Sequence, residues 1–260
     1  MIKRKTTREI ELMRIAGRIA AEARIVAGKM VEVGATTRSI NKAVHEFINA
    51  QGAVPSFLGY RGFPASICIS INDEVIHGIP SSRKLLQGDL VSVDIGVTKN
   101  GYLGDCAATF IVGKGSEESE NLVKITRECF YEGFKNARAG NRVSDISRVI
   151  QQHAEKNGYS VVKEFVGHGI GTKVHEPPEV PNFIEVPRKK ADPRLMPGMT
   201  LAVEPMINAG KAQIKILKDD WTVVTVDGMN SAHYENTILI TDADPEILTV
   251  CEESQGEGIR

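Results

Sequence analysis

Apolar residues recur at helical spacing near the start of the chain, at Leu12, Ile15, Ile19, Ala23, Val26 and Met30. That period predicts an amphipathic helix ending before Gly34. Thr6 and Glu9, just ahead of the run, form a capping-box signature. A second helix is predicted after Thr37, with Ile40, Val44 and Ile48 on one face and Gly52 past its end. The period then shortens. From Ser66 to Val112 the pattern is strand-like, with Ile67, Ile69 and Ile71 alternating. Within it, VSVDIGV and YLGDCAATFIV read as two strands joined by a Lys-Asn-Gly turn. Asn100 and Gly101 both tolerate positive φ, the backbone a tight hairpin needs. Helical spacing returns at about 119–137 and 143–157, and strand-like sequence resumes from Ser160, broken by proline-rich loops.

Helices followed by strands, twice over, suggest an internal repeat. Gly34, Ile40, Val44 and Gly52 correspond to Gly140, Ile146, Ile150 and Gly158 at an offset of 106. The segment from Lys84 to Asp94 matches that from Arg194 to Glu204 at an offset of 110. Both read basic, Leu, Leu or Met, any, Gly, any, any, apolar, any, Val, acid. His77 and His175 each open a His-x-x-Pro. The expectation is one domain, 1–260, built from two related α-then-β halves, about 1–115 and 116–250. Their sheets would meet in one central antiparallel layer with helices on its outer face, an α+β fold with pseudo-two-fold symmetry.

Charge and composition narrow the function classes. A net charge of −1 gives no electrostatic case for nucleic acid or an anionic membrane. The basic run 187–194 is short and proline-flanked and reads as a solvated loop. No stretch approaches the ~20 apolar residues of a membrane span, and the N-terminus enters a helix without a signal-peptide core. Cys68, Cys106, Cys129 and Cys251 show no paired spacing and read as reduced thiols of a cytoplasmic protein.

The hairpin and the repeat carry the chemistry. Asp94 interrupts an apolar strand, and Asp105 sits on its partner across the turn. The repeat sets Glu204 opposite Asp94 and matches Asp105 with Glu235, at the start of another apolar strand. Four buried carboxylates cannot all ionise without cations, and two divalent ions would balance them. Carboxylates with one imidazole suit Mn²⁺, Fe²⁺, Co²⁺ or Zn²⁺. His168, between Gly167 and Gly169, is the candidate nitrogen ligand; His233, beside Glu235, is a secondary candidate next to the ligands. His45 and His153 fall on helices and are expected at the surface. Paired metals acidify a shared water and polarise a carbonyl or phosphoryl oxygen, so hydrolysis is the leading reaction class. His77 and His175 remain free to donate to the scissile group or its oxyanion.

SINDEVIHGIP, the Asp94/Asp105 pair, GHGIGxxxHExP with His168 and His175, VEPM with Glu204 and YENT with Glu235 together resemble the type I methionine aminopeptidases over essentially the whole chain. The resemblance implies the "pita-bread" fold. It implies that Asp94, Asp105 and Glu235 bind one metal and that Asp105, Glu235, His168 and Glu204 bind the second. It implies that a bridging water attacks the carbonyl of an N-terminal methionine, with Glu204 as proton shuttle, His175 at the oxyanion and His77 beyond the bond. Tyr60, Phe63, Cys68 and Trp221 fall at the methionine-pocket positions, where ordinary core packing is the alternative reading. Val174, Phe57, Ile76 and Leu103 depart from the family pattern and bear on pocket shape. The length resembles the short bacterial form. A nascent chain as substrate, a small second residue, a monomer and transient docking at the ribosome exit are further implications. Two other readings compete with it. One is a non-catalytic binding protein on this fold, which the complete ligand set disfavours. The other is a two-metal phosphoesterase, which would want Arg or Lys beside the metals.

Overall fold

A computed structural model describes residues 2–185 and 191–252. The core of the basic run, 187–190, lies outside them. The first half supplies α1 (Thr7–Lys29), α2 (Thr37–Ala50), β1 (Val54–Pro55), β2 (Cys68–Ile71), β3 (Glu74–Ile76), β4 (Leu90–Lys99) and β5 (Tyr102–Ile111). There follow α3 (Glu117–Asn136), α4 (Val143–Lys156), β6 (Ser160–Val161), β7 (Gly167–Gly169), β8 (Glu176–Val180), β9 (Thr200–Val203) and β10 (Met206–Asn208). The chain closes with β11 (Ile214–Ile216), β12 (Val223–Thr225), β13 (Ser231–His233), β14 (Glu235–Leu239) and β15 (Glu246–Ile247).

The capping box forms as expected, with the Thr6 side chain accepting from the Glu9 N–H and the Glu9 carboxylate accepting from the Thr6 N–H. The buried face of α1 coincides with the expected one at Ile19 and Ala23 and departs from it elsewhere. Met13, Ala16, Ala20, Ala23 and Ala27 are fully buried, whereas Leu12, Ile15, Val26 and Met30 are half-buried. Close approach is the reason. A Cβ on Gly17 would stand 2.3 Å from the Leu248 carbonyl oxygen, and one on Gly104 would stand 2.5 Å from the Gly17 Cα. Only small side chains let α1 lie this close to the hairpin, so the alanine stripe faces inward and the larger residues flank it.

The expected hairpin is β4 and β5, paired from Leu90↔Ile111 to Lys99↔Tyr102, with Asn100 at φ 52° and Gly101 at φ 79°. It lies in a nine-stranded sheet ordered β1-β4-β5-β14-β9-β7-β8, with β2 also on β4 and β15 on β14. The pairings are antiparallel, and within this sheet the two halves join where β14 pairs with β5. They join again where β3 pairs with β12 in a separate three-stranded sheet, β11-β12-β3, and a third sheet, β13-β10-β6, stands beside them, so the strands do not form the single layer expected. Backbone contacts recur at the offsets of the sequence repeat. Gly34 donates to Leu85 O (2.9 Å) and Gly140 to Leu195 O (3.0 Å), and Thr36 bridges to Lys84 as Arg142 does to Arg194.

Alternation along the strands separates two faces. Val91, Val93, Ile95 and Val97 of β4 pack against α1 and α2. Leu201, Val203 and Ile238 pack against α3 and α4. All four helices therefore back one face of the sheet, and the opposite face is left for chemistry. His45 and His153 do lie on helices but are half-buried rather than at the open surface. His45 bonds Ser66 and Asn49, and His153 pairs with Glu128. Among the described residues no helix is long and apolar enough to cross a membrane.

Candidate active site

Strand register gathers the acids. Asp94 opposes Ala107 across the hairpin, and Ala107 opposes Glu235 across the junction of the halves. Asp105, two residues before Ala107, points to the same side. Asn236 opposes Val203, so Glu204 follows in line beside Glu235. On the flanks Cys68 opposes Asp94, and His168 opposes Ala202, two residues from Glu204. One face of a continuous sheet thus presents Cys68, Asp94, Asp105, Glu235, Glu204 and His168, all turned away from the helices.

Local chemistry then aims each group. The His168 Nδ1–H donates to the Gly169 carbonyl at 2.9 Å, which leaves the Nε2 lone pair facing the acids, 3.5 Å from Glu204 Oε1. A Cβ on Gly167 would stand 2.4 Å from the Ala202 carbonyl, and one on Gly169 2.3 Å from the Pro177 carbonyl. The glycines flanking His168 are therefore steric necessities of this three-strand contact. Thr237 secures Asp105 from the partner half: its hydroxyl accepts from the Asp105 N–H (3.0 Å) and donates to the Asp105 carbonyl (2.9 Å). Behind the sheet the buried Arg24 donates to the Asn236 side chain and the Glu235 carbonyl.

The electrostatics are those of a cation site. Burial pushes Asp94 up; burial and then the Asp94 charge push Asp105 and Glu204 up; burial and then the Asp105 charge push Glu235 up. Burial holds His168 and His233 down at about 3 and His77 at about 4, and lowers His175. The imidazoles are thus neutral and able to offer lone pairs. Asp94 Oδ1, Asp105 Oδ1, Glu235 Oε1 and His233 Nε2 are buried with no hydrogen-bond partner among the described residues. Orphaned acceptors are rare in interiors, and a divalent ion would satisfy these. Ligand atoms of Asp105, His168 and Glu235, and those of Glu204, His233 and Glu235, fall within 4.8 Å of one another. The residues present fit a metal.

The acids floor a cavity of about 220 Å³ walled by Phe57, Tyr60, Phe63, Phe165, Val174 and Trp221, with His77 and His175 on its rim. Tyr60 Oη lies 2.9 Å from His175 Nδ1 and the two rings stack; the Phe63 and Trp221 rings meet edge to face at 5.0 Å. His77 packs edge-on against Phe165, and the His168 and His175 rings are 4.2 Å apart. A larger cavity, about 550 Å³, contains none of these residues.

Residues 11–242 match metallopeptidase family M24. The chain belongs to that family. It is 54% identical to a methionine aminopeptidase of Clostridium perfringens over 96% of this chain and 99% of that one. It is 49% identical to methionine aminopeptidase 1 of Bacillus subtilis over 96% and 99%. The solved methionine aminopeptidase of Thermotoga maritima superposes with a TM-score of 0.92 at 41% identity, covering 96% and 99%. Membership of M24 makes the chain a metallopeptidase that uses divalent metal, and its fold is the pita-bread fold. In this M24 chain, Phe57 and Val174 line the cavity; Leu103 does not line it but is buried in one cluster with Phe57, Phe63 and Val174 behind its wall, and Ile76 is buried in a separate cluster. Sequence reading missed Phe165 and Arg61 as lining residues. Phe165 precedes the Val-Gly-His motif by one residue, and Arg61 follows Tyr60, but neither carries a spacing signal of its own.

Proposed function

We propose that this chain removes the initiator methionine from nascent polypeptides and peptides, preferring a small second residue. What carries the reading is the acid-floored cavity. A short apolar and aromatic pocket stands directly over a carboxylate and imidazole cluster whose acceptors lack partners, so one unbranched apolar side chain can be held with its carbonyl at the metals. Asp94, Asp105 and Glu235 would hold one divalent ion, and Asp105, Glu235, His168 and Glu204 a second, each Mn²⁺, Fe²⁺, Co²⁺ or Zn²⁺. When bound, such ions supply Lewis-acid polarisation and acidified water.

The side chains supply the rest. Glu204, raised by burial and by its neighbouring acids, is a carboxyl suited to take a proton from water and pass it to the leaving amine. A Tyr60 phenol donating to His175 Nδ1, 2.9 Å away, would leave the proton of that ring on Nε2, where it would stabilise negative charge on the scissile carbonyl oxygen. His77 is held at φ 59° beside Phe165 and Trp221, which directs its ring at the peptide beyond the bond. Tyr60, Phe63, Cys68 and Trp221 receive the methionine side chain and exclude water. We further infer one catalytic domain over 1–260 with halves of about 1–115 and 116–250, acting as a cytoplasmic monomer that docks transiently at the ribosome exit. The recurring backbone contacts support the two halves, and buried cysteines that form no disulfide among the described residues support the cytoplasm.

The test is product analysis by mass spectrometry on Met-Ala-Ser and Leu-Ala-Ser. The metal-reconstituted chain is compared with chelated protein and with Asp105→Ala. Methionine release alone, lost in both controls, is the expected result. Equal cleavage of both peptides would retain the hydrolysis and reject the methionine pocket. No cleavage with any of the four metals bound would leave a non-catalytic binding protein.

A further inference from the structure

Two lysine or arginine side chains are buried among the described residues, Lys5 and Arg24. The Lys5 side chain is 3% exposed and its Nζ lies 2.7 Å from Glu176 Oε2. Glu176 Oε1 accepts from the Thr172 N–H (2.8 Å), the Lys173 N–H (3.3 Å) and the Thr172 hydroxyl (3.4 Å). One carboxylate therefore folds the 172–176 loop on itself and ties it to the N-terminal segment. That segment is itself anchored: the Lys5 N–H donates to the Gly198 carbonyl and Arg4 Nε to the Pro197 carbonyl. The loop's other end is held where the Leu103 N–H donates to the Gly171 carbonyl. Gly171 leaves room for the ion pair, since a Cβ there would stand 2.5 Å from Lys5 Cε and 2.8 Å from Glu176 Oε1.

The residue this loop presents is His175, adjacent to Glu176. Burying a lysine is costly unless it is paired, and apolar side chains usually replace a buried pair without loss of stability. A buried pair that ties a loop to a distant segment points to a geometric role. We propose that Lys5 is a positioning residue: acting through Glu176, it fixes the loop that holds His175 against Tyr60 and over the acids. Lys5 itself touches no substrate. The inference rests on the aminopeptidase reading, in which His175 faces the scissile carbonyl oxygen.

The experiment uses the metal-loaded full chain and Met-Ala-Ser. Lys5→Met should lower kcat about 10- to 100-fold, the effect of misplacing a catalytic group by about an ångström, with KM and bound metal nearly unchanged. Lys5→Arg, which keeps the charge, should recover most of the loss. Glu176→Gln, which keeps the loop's acceptor oxygen, should resemble Lys5→Met. In a His175→Ala background, Lys5→Met should change kcat less than about twofold, because the two act as one unit. Equal losses in both backgrounds, or a loss that follows metal content, would overturn the proposal. Ring ¹⁵N shifts of His175 report its Nδ1 contact with Tyr60 without turnover. A change in Lys5→Met supports the proposal and identical shifts refute it, even if the wild type releases no methionine and the aminopeptidase reading is what fails.

Discussion

Asp94, Asp105, Glu204 and Glu235 would be four ordinary anions in water. On one buried sheet face each is pushed toward its neutral form. The sign follows from linkage. An acid whose folded pKa lies above its unfolded value binds a proton more readily when folded, and that stabilisation is lost as pH rises through the gap. Chelated protein should therefore melt at a higher temperature near pH 6.5 than near pH 8, above the range in which the buried neutral histidines oppose the trend, and Mn²⁺ added at pH 8 should restore the midpoint. Asp105→Asn should flatten the slope in thermal scans, and an unchanged slope would locate the effect elsewhere. His168 gives a second prediction. Gly169→Ala puts a Cβ against the Pro177 backbone, so it should cost about 1–3 kcal/mol in urea unfolding and weaken metal binding by calorimetry. The four acids, His168 and both rim histidines were all marked by motif spacing. Phe165 and Arg61 were not, because lining a cavity is a matter of position, with no residue type or period to announce it.

At the level of elements, the caps and the turn were the legible parts. The Thr6/Glu9 box and the Asn-Gly turn depend on neighbours within a few residues, and local sequence contains all the partners. The Glu9 carboxyl is held down at about 2, chiefly by the Thr6 N–H and then by the Thr6 hydroxyl, Tyr102 and Lys3. A depressed acid contributes stability above its unfolded value, here 4.5, which is lost as pH falls toward 2. Glu9→Gln should lower the melting point at pH 7 by the equivalent of about 1 kcal/mol and less at pH 3, read by circular dichroism. The face of α1 was legible only in part, because periodicity ranks residues by size and apolarity while close approach selects for smallness. Gly17→Ala tests this. Helix propensity alone would favour alanine by about 1 kcal/mol, yet the clash with the Leu248 carbonyl should make the variant less stable. A more stable variant would show that the contact relaxes. The start of α4 was legible, but not the group that caps it: Asp192, 48 residues away, accepts from the Ser144 N–H and hydroxyl.

At the scale of the molecule, the site exists only because two halves share a sheet. Their junction is short, with Glu235↔Ala107 and Asn236↔Cys106 as its paired residues; beyond them the Thr237 hydroxyl takes over by bonding both backbone groups of Asp105. Thr237→Val keeps the shape and leaves those groups without partners. It should cost about 1–3 kcal/mol in denaturant titration and lower turnover, because Asp105 loses its anchor. Stability and turnover equal to wild type would mean that the β5–β14 pairing suffices.

What the sequence determined by itself was the order of helices and strands, the hairpin, the repeat and the acids and imidazoles that carry the chemistry. Each of these is encoded by residue type, period or spacing along the chain. Tertiary structure alone decided how closely α1 lies on the sheet, which side chains wall the pocket, and that Lys5 reaches Glu176 across the fold. Those contacts join residues far apart in sequence, and their energies depend on distances and excluded volume that no local pattern records.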